Sequence, residues 1–119
     1  MKPSPLKEKS YELAKLIVGA YKYLVVEKKE FVLSKQLLRS GTNPGAMVRE
    51  SRSAESKQDF IHKLKIAQKE TNETMYWLEL LKDTGYLGQE KYNKVYRLAE
   101  EVMRLLVSSI NTTKRNLKQ

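Results

Sequence analysis

Residues 33–60 read LSKQLLRSGTNPGAMVRESRSAESKQDF, and this stretch holds the features from which the fold is predicted. Apolar residues at helical spacing lead up to Arg39-Ser40, and the small, helix-breaking residues of Gly41–Gly45 follow. The chain then continues through Val48-Arg49-Glu50 to Ser56-Lys57-Gln58-Asp59, an S-x-x-D pattern that resembles a capping box at the start of a helix. The stretch therefore predicts one helix, its end and the start of the next.

The segment Gly41–Gly45 allows two interpretations of the second helix. Pro44 has no amide proton, and its ring clashes with the carbonyl of Ser40 in a regular helix. Interpreted locally, the segment is a turn followed by a new helix that Asn43 caps. The alternative is a single kinked helix over about residues 29–53, with Phe31 among its inward-facing residues.

Three more helices are predicted over about residues 5–26, 57–84 and 89–114, because apolar residues recur there at helical spacing. Ser4 and Ser56 are suitable N-caps, and Gly85 lies where a helix commonly ends. Four helices with short links predict an all-α antiparallel up-down bundle. With 119 residues, the chain is expected to form one domain.

Helices three and four carry more apolar residues than one core requires. Their apolar arcs exceed the roughly 100° typical of a surface helix, and on helix four the arc reaches about 200°. One interpretation is contact with a second subunit, where aromatic residues are enriched. The other is that both helices are wedged centrally in a monomer. The candidate interface residues are Tyr76, Trp77, Leu80, Leu98 and Leu105.

The composition is strongly basic and contains no cysteine. The net charge is +9, and residues 1–59, 60–84 and 85–119 contribute +5, zero and +4. Such an excess favours polyanionic partners such as nucleic acid, although it also serves solubility alone. The lack of cysteine excludes disulfides and thiolate metal sites, and it fits a reducing cytoplasm. No signal peptide or membrane-spanning segment is expected.

Basic residues are the remaining functional signal, and they form two sets. Phosphate contacts require only cationic donors along a surface, so neither set indicates sequence specificity. The alternative is a solvated charged face with helical ion pairs. The candidates on helix four are Arg97, Arg104 and Arg115, which share an outward angle; those around the second helix are Lys35, Arg39, Arg49, Arg52 and Lys57.

No arrangement typical of an enzyme is found. His62 is the only histidine, and Ser56 near it is better explained as a helix cap. The carboxylates of helix three lack the Glu-x-x-His pattern of a di-iron bundle, and no phosphate-binding glycine loop is present. We therefore expect no catalytic activity, no metal and no cofactor.

Several segments together resemble the proteins encoded within intervening sequences of bacterial 23S rRNA genes. They are the Leu33–Ser40 run, the Asn43–Glu50 run, and a third-helix signature that includes Lys69-Glu70, Glu73-Thr74 and Tyr76-Trp77-Leu78. Pro44 and Met47 depart from that pattern, which usually has an apolar β-branched residue and Asn there. The resemblance covers nearly the whole chain.

The resemblance favours the single kinked second helix and implies assembly of the bundle into a ring, typically a pentamer. It also implies kinship with the accessory variability proteins of diversity-generating retroelements, which are basic pentamers that bind a reverse transcriptase and nucleic acid. The expected function is an oligomeric accessory protein that binds rRNA or other nucleic acid without strong sequence preference. The alternative is a protein-interaction scaffold with no nucleic-acid role.

Overall fold

A computed structural model describes residues 4–118, so residues 1–3 and 119 of the predicted domain lie outside the described part. Four α-helices and no strand occur among the described residues. The helices are α1 (Pro5–Val26), α2 (Leu33–Ser51), α3 (Lys57–Asp83) and α4 (Gln89–Leu117). The all-α prediction is confirmed.

Local caps fix the helix ends that the sequence predicts well. The Ser4 hydroxyl accepts the Lys7 amide at 3.3 Å at the start of α1, and the Ser56 hydroxyl accepts the Asp59 amide at 3.0 Å at the start of α3. Just after α3 ends, Gly85 adopts φ +86°, a conformation that glycine takes readily because it has no Cβ. At the other end of the chain, α4 runs three residues beyond the predicted 114, and its last turn contains Lys114 and Arg115. Cations there interact favourably with the helix dipole.

The start of α2 was predicted wrongly at residue 29 and lies at Leu33. Lys29 takes φ 55°, which breaks the helical path. The buried carboxylate of Glu30 then accepts three backbone amides, from Val32 at 3.2 Å, Leu33 at 3.0 Å and Ser34 at 2.6 Å. These amides belong to the first turn, where helical donors have no partner within the helix. Glu30 therefore acts as the cap, and α2 begins after it.

Beyond that start, α2 continues through Gly41–Gly45 as one helix and ends at Ser51 rather than 53. Asn43 is thus inside the helix and caps nothing, and its Oδ1 atom is buried without a hydrogen-bond partner. The glycines have a packing role here. A Cβ on Gly41 would lie 2.5–2.8 Å from side-chain atoms of Ile17, and one on Gly45 would lie 3.2 Å from the Ser10 carbonyl oxygen. Glycine therefore lets α1 approach α2 closely.

The core lies among all four helices, and the pairs α1–α2, α2–α3, α3–α4 and α1–α4 pack together. Leucines from each helix are fully buried, including Leu13, Leu37, Leu64 and Leu106. Phe31 was predicted to face inward and is instead 52% exposed, because it precedes α2 and does not follow its helical phase.

A polar contact also joins α2 to α3 inside the core. The hydroxyl oxygens of Ser40 and Thr74 lie 3.1 Å apart, and both residues are fully buried. Thr74 also donates to the Glu70 carbonyl of its own helix at 2.8 Å, as Thr71 does to Ala67 at 2.7 Å. The interhelical contact is what distinguishes Thr74 from Thr71.

Replacing Thr74 with valine is expected to lower the free energy of unfolding by about 1 kcal/mol, because the Ser40 hydroxyl loses its partner across the helix pair. Thr71→Val is the matched control, since it removes a bond within one helix only. Urea unfolding of both variants measures the difference. Equal losses for the two variants would contradict a stabilising role for the Ser40–Thr74 contact.

Candidate nucleic-acid interface

All eight predicted nucleic-acid-binding residues have exposed side chains, but their surroundings differ. Within residues 4–118, only Lys9, Arg39 and Lys82 among the lysines and arginines form ion pairs. Most lysines and arginines in this part of the chain therefore form no direct ion pair with a carboxylate.

The helix-four stripe, Arg97, Arg104 and Arg115, forms no ion pair with any carboxylate of residues 4–118. Arg115 donates to the Thr112 hydroxyl at 3.2 Å, which leaves its charge unpaired. Glu100 and Glu101 border the stripe and reduce its positive potential; the Glu101 carboxylate also lies 3.9 Å from the Lys9 ammonium of α1. The stripe thus presents three guanidinium groups along one outward face.

The last turns of α4 add further positive charge. The positive charge of Lys65, on α3, lowers the pKa of the exposed Lys114. Two ammonium groups from different helices therefore lie close together, beside Arg115 in sequence. Sequence reasoning missed this pair because the contact depends on the register of α3 against α4.

The five basic residues of the second set differ in whether carboxylates lie near them. Arg39 forms ion pairs with Glu70, at 2.9 Å, and with Glu73, both on α3. Glu73 also accepts the indole N–H of Trp77 at 3.1 Å. Arg39 therefore contributes to packing of α2 against α3, and the residues that carry the family resemblance meet at this contact.

Arg49 borders clefts on both sides of α2, and both contain acidic side chains. One cleft includes Glu8 of α1, and the other includes Glu55 and Asp59. These carboxylates reduce the local positive potential, while Lys7 in the first cleft and Lys63 in the second raise it. Lys35, Arg52 and Lys57 are exposed and form no ion pair among the described residues.

The five predicted interface residues differ in how far their side chains are exposed. Tyr76 is 56% exposed, and its ring meets that of Trp77 edge-on with centroids 5.0 Å apart. Trp77, Leu80 and Leu105 are half-buried. Leu98 is only 8% exposed, because α4 packs against both α1 and α3 and so uses much of its wide apolar arc within the subunit.

No group of three or more potential metal ligands occurs among the described residues. None of the helices α1–α4 contains an apolar stretch that could span a lipid bilayer. His62 is exposed on α3.

Comparison with known proteins identifies the family. The family model described as 23S rRNA-intervening sequence protein matches residues 4–108. The chain belongs to this family. A similar solved structure is a protein of unknown function from the S23 ribosomal protein family of Bacteroides thetaiotaomicron VPI-5482, in a crystal structure at 1.70 Å resolution. It is 54% identical with a TM-score of 0.87, and the match covers 88% of this chain and 97% of that one. No curated protein matches the chain.

The resemblance read from the sequence is thus confirmed. The name of the 23S rRNA-intervening sequence family gives no biochemical activity, and the similar crystal structure is of a protein of unknown function. The function of this member has to be inferred from its surface.

Proposed function

We propose that this protein is a non-catalytic, oligomeric accessory protein of the cytoplasm that binds rRNA or another nucleic acid through its basic surface. The observation that carries this proposal is the scarcity of ion pairs among residues 4–118 of a chain whose net charge is +9. The family name, which refers to 23S rRNA, makes RNA the first nucleic acid to test.

The helix-four stripe and the Lys65–Lys114 pair are the proposed contact surface. Guanidinium and ammonium groups bind phosphate oxygens without reading bases, so we expect weak sequence preference. Arg39 is engaged with Glu70 and Glu73, whereas the helix-four stripe forms no ion pair within residues 4–118, and this difference favours the helix-four side over the α2 side.

The architecture that we propose for this function is an antiparallel up-down bundle whose second helix bends at Gly41–Gly45 and whose subunits form a ring, most simply a pentamer. The antiparallel order is supported by the approach of Gly41 to Ile17 and of Gly45 to Ser10. The bend is supported by Pro44 inside α2, because proline removes one helical hydrogen bond. A ring would repeat the basic surface and raise the apparent affinity for a long polyanion.

Binding of a structured rRNA fragment, measured by fluorescence anisotropy at about 50 mM salt, tests the proposal, since electrostatic binding is strong at low salt. Replacing Arg97, Arg104 and Arg115 with alanine is expected to weaken binding at least tenfold. The matched control replaces Lys35, Arg49 and Arg52, which lowers the net charge equally. Equal weakening by both sets would indicate a general charge effect and contradict a helix-four surface.

The second candidate function is a protein-interaction scaffold. The exposed ring of Tyr76 favours it, because aromatic residues are enriched in protein interfaces. If the protein retains no structured RNA at about 50 mM salt, the scaffold function is the better explanation.

A further inference from the structure

Gly19 lies in the middle of α1, and the subunit itself has no need of a glycine there. Glycine in a helix interior is destabilising relative to alanine. At Gly41 and Gly45 a neighbouring helix occupies the space that a Cβ would take. At Gly19, apart from its chain neighbours and the adjoining backbone of α1, no atom of residues 4–118 lies within 4 Å of the Cβ position. The missing side chain therefore leaves space that the bundle does not fill.

This space opens into a groove of about 290 Å³ between α1 and α4. That volume is just below the range of about 300–1,000 Å³ for ligand pockets and suits one large side chain. Leu16, Ala20, Tyr23 and Val95 supply its apolar walls, and no carboxylate lines it; its cations are Lys15, Lys91 and Lys94. Lys91 lies over the Tyr23 ring, with 4.5 Å between the ammonium nitrogen and the ring centroid. The groove thus fits an apolar or aromatic group that carries negative charge beside it.

The same chain presents such a group on α3. Tyr76, Glu79, Leu80 and Asp83 are spaced i, i+3, i+4 and i+7, which places them on one side of the helix. Tyr76, Glu79 and Asp83 are exposed, and Leu80 is half-buried. The Asp83 carboxylate lies 3.7 Å from the Lys82 ammonium, whereas Glu79 forms no ion pair among the described residues. We call these four residues the α3 acidic face.

We propose that the α1–α4 groove receives the α3 acidic face of a second copy of this chain. The Tyr76 ring lies over Gly19, and Glu79 and Asp83 approach the groove lysines. Charge complementarity and the space at Gly19 carry this assignment, which rests on the oligomeric part of the proposed function. Because groove and face are different surfaces, the contact is head-to-tail, and it closes into a ring if the rotation between subunits allows it.

Light scattering coupled to size exclusion, at tens of micromolar protein, tests this contact through Gly19. The wild type is expected to have a multiple of the 13.9 kDa subunit mass, and Gly19→Leu is expected to shift the mass to that of one subunit. Circular dichroism should show unchanged helix content, because the new Cβ has open space around it and leucine is a better helix former than glycine.

A charge exchange provides the second test. Lys15→Glu with Lys94→Glu should abolish assembly, and adding Glu79→Lys with Asp83→Lys in the same chain should restore it, because the two exchanged charges of the groove again oppose the two exchanged charges of the α3 acidic face, and only Lys91 keeps its original sign. In the dissociated Lys15→Glu, Lys94→Glu protein, Gly19→Ala should raise Tm by about 2–5 °C, as expected for a better helix former without a clash.

The results of these experiments distinguish failure of the groove contact from failure of the proposed assembly or of the proposed RNA binding. A monomeric wild type contradicts assembly itself, while RNA binding is measured independently. An oligomer that survives Gly19→Leu, or that the four-residue exchange does not restore, leaves assembly standing and overturns this contact. Unchanged mass with weakened RNA binding in Gly19→Leu also overturns it, because the groove would then hold RNA.

Discussion

Replacing Gly41 with alanine is expected to lower the free energy of unfolding by about 2 kcal/mol. The new Cβ would lie 2.5–2.8 Å from the Cγ1, Cδ1 and Cγ2 atoms of the fully buried Ile17, so one of the two helices has to shift. Overpacking a core costs up to about 3 kcal/mol, and the better helix propensity of alanine returns about 1 kcal/mol. The clash therefore dominates. Urea unfolding at neutral pH measures the loss.

Two further variants show whether Ile17 is the cause. Gly45→Ala should cost less, because its Cβ would be 3.2 Å from the Ser10 carbonyl oxygen, and a shift of a few tenths of an ångström suffices. Ile17→Ala removes all three clashing atoms, so the double variant Ile17→Ala, Gly41→Ala should lose at least about 1 kcal/mol less than the two single losses combined. Strict additivity would contradict the proposed contact.

Replacing Glu30 with alanine is expected to lower the free energy of unfolding by about 2 kcal/mol. Its carboxylate accepts hydrogen bonds from the amides of Val32, Leu33 and Ser34. Alanine removes all three bonds, so the variant loses a helix cap and charged hydrogen bonds at once. Glu30→Gln keeps one acceptor oxygen and should lose less. The measurement is again urea unfolding at neutral pH.

The Glu30 contribution should also depend on pH. Burial alone would raise the pKa of Glu30, but the hydrogen bonds from the Leu33, Ser34 and Val32 amides outweigh it and hold the pKa below its usual value. The stabilisation is therefore complete above the unfolded pKa of about 4.3 and is lost as the pH falls through the lower folded pKa. The stability difference between the wild type and Glu30→Gln should shrink in acid; a difference constant between pH 7 and pH 3 would contradict this cap.

The helix ends that the sequence predicted well are those fixed by local chemistry. Ser4 and Ser56 cap through the amide three residues later, and Gly85 supplies a positive φ, so neighbouring residues suffice for the prediction. The start of α2 escaped prediction because its cap is Glu30, whereas Ser, Thr, Asp and Asn are the residues usually expected there. The chain also leaves the helical path at Lys29, which takes φ 55°. Lysine rarely adopts a positive φ, so the sequence does not indicate a turn at this position.

The candidate site was predicted less completely, because it depends on contacts between helices. The sequence does not reveal that Arg39 meets Glu70 and Glu73, or that Lys65 approaches Lys114, since both require the register of neighbouring helices. The burial of Leu98 likewise depends on α4 packing against two helices at once. The exposure of Arg97, Arg104 and Arg115 followed from helical periodicity alone, and the structure agrees with it.

The most direct test of the proposed RNA binding is a salt titration of the wild-type protein with a structured rRNA fragment. The logarithm of the binding constant should fall linearly with the logarithm of the salt concentration, with a slope of about −0.7 to −0.9 for each phosphate contact. Alanine at Arg97, Arg104 and Arg115 should flatten the slope by about 2–3. Absence of binding at about 50 mM salt, or an affinity that does not change with salt, would contradict the proposal.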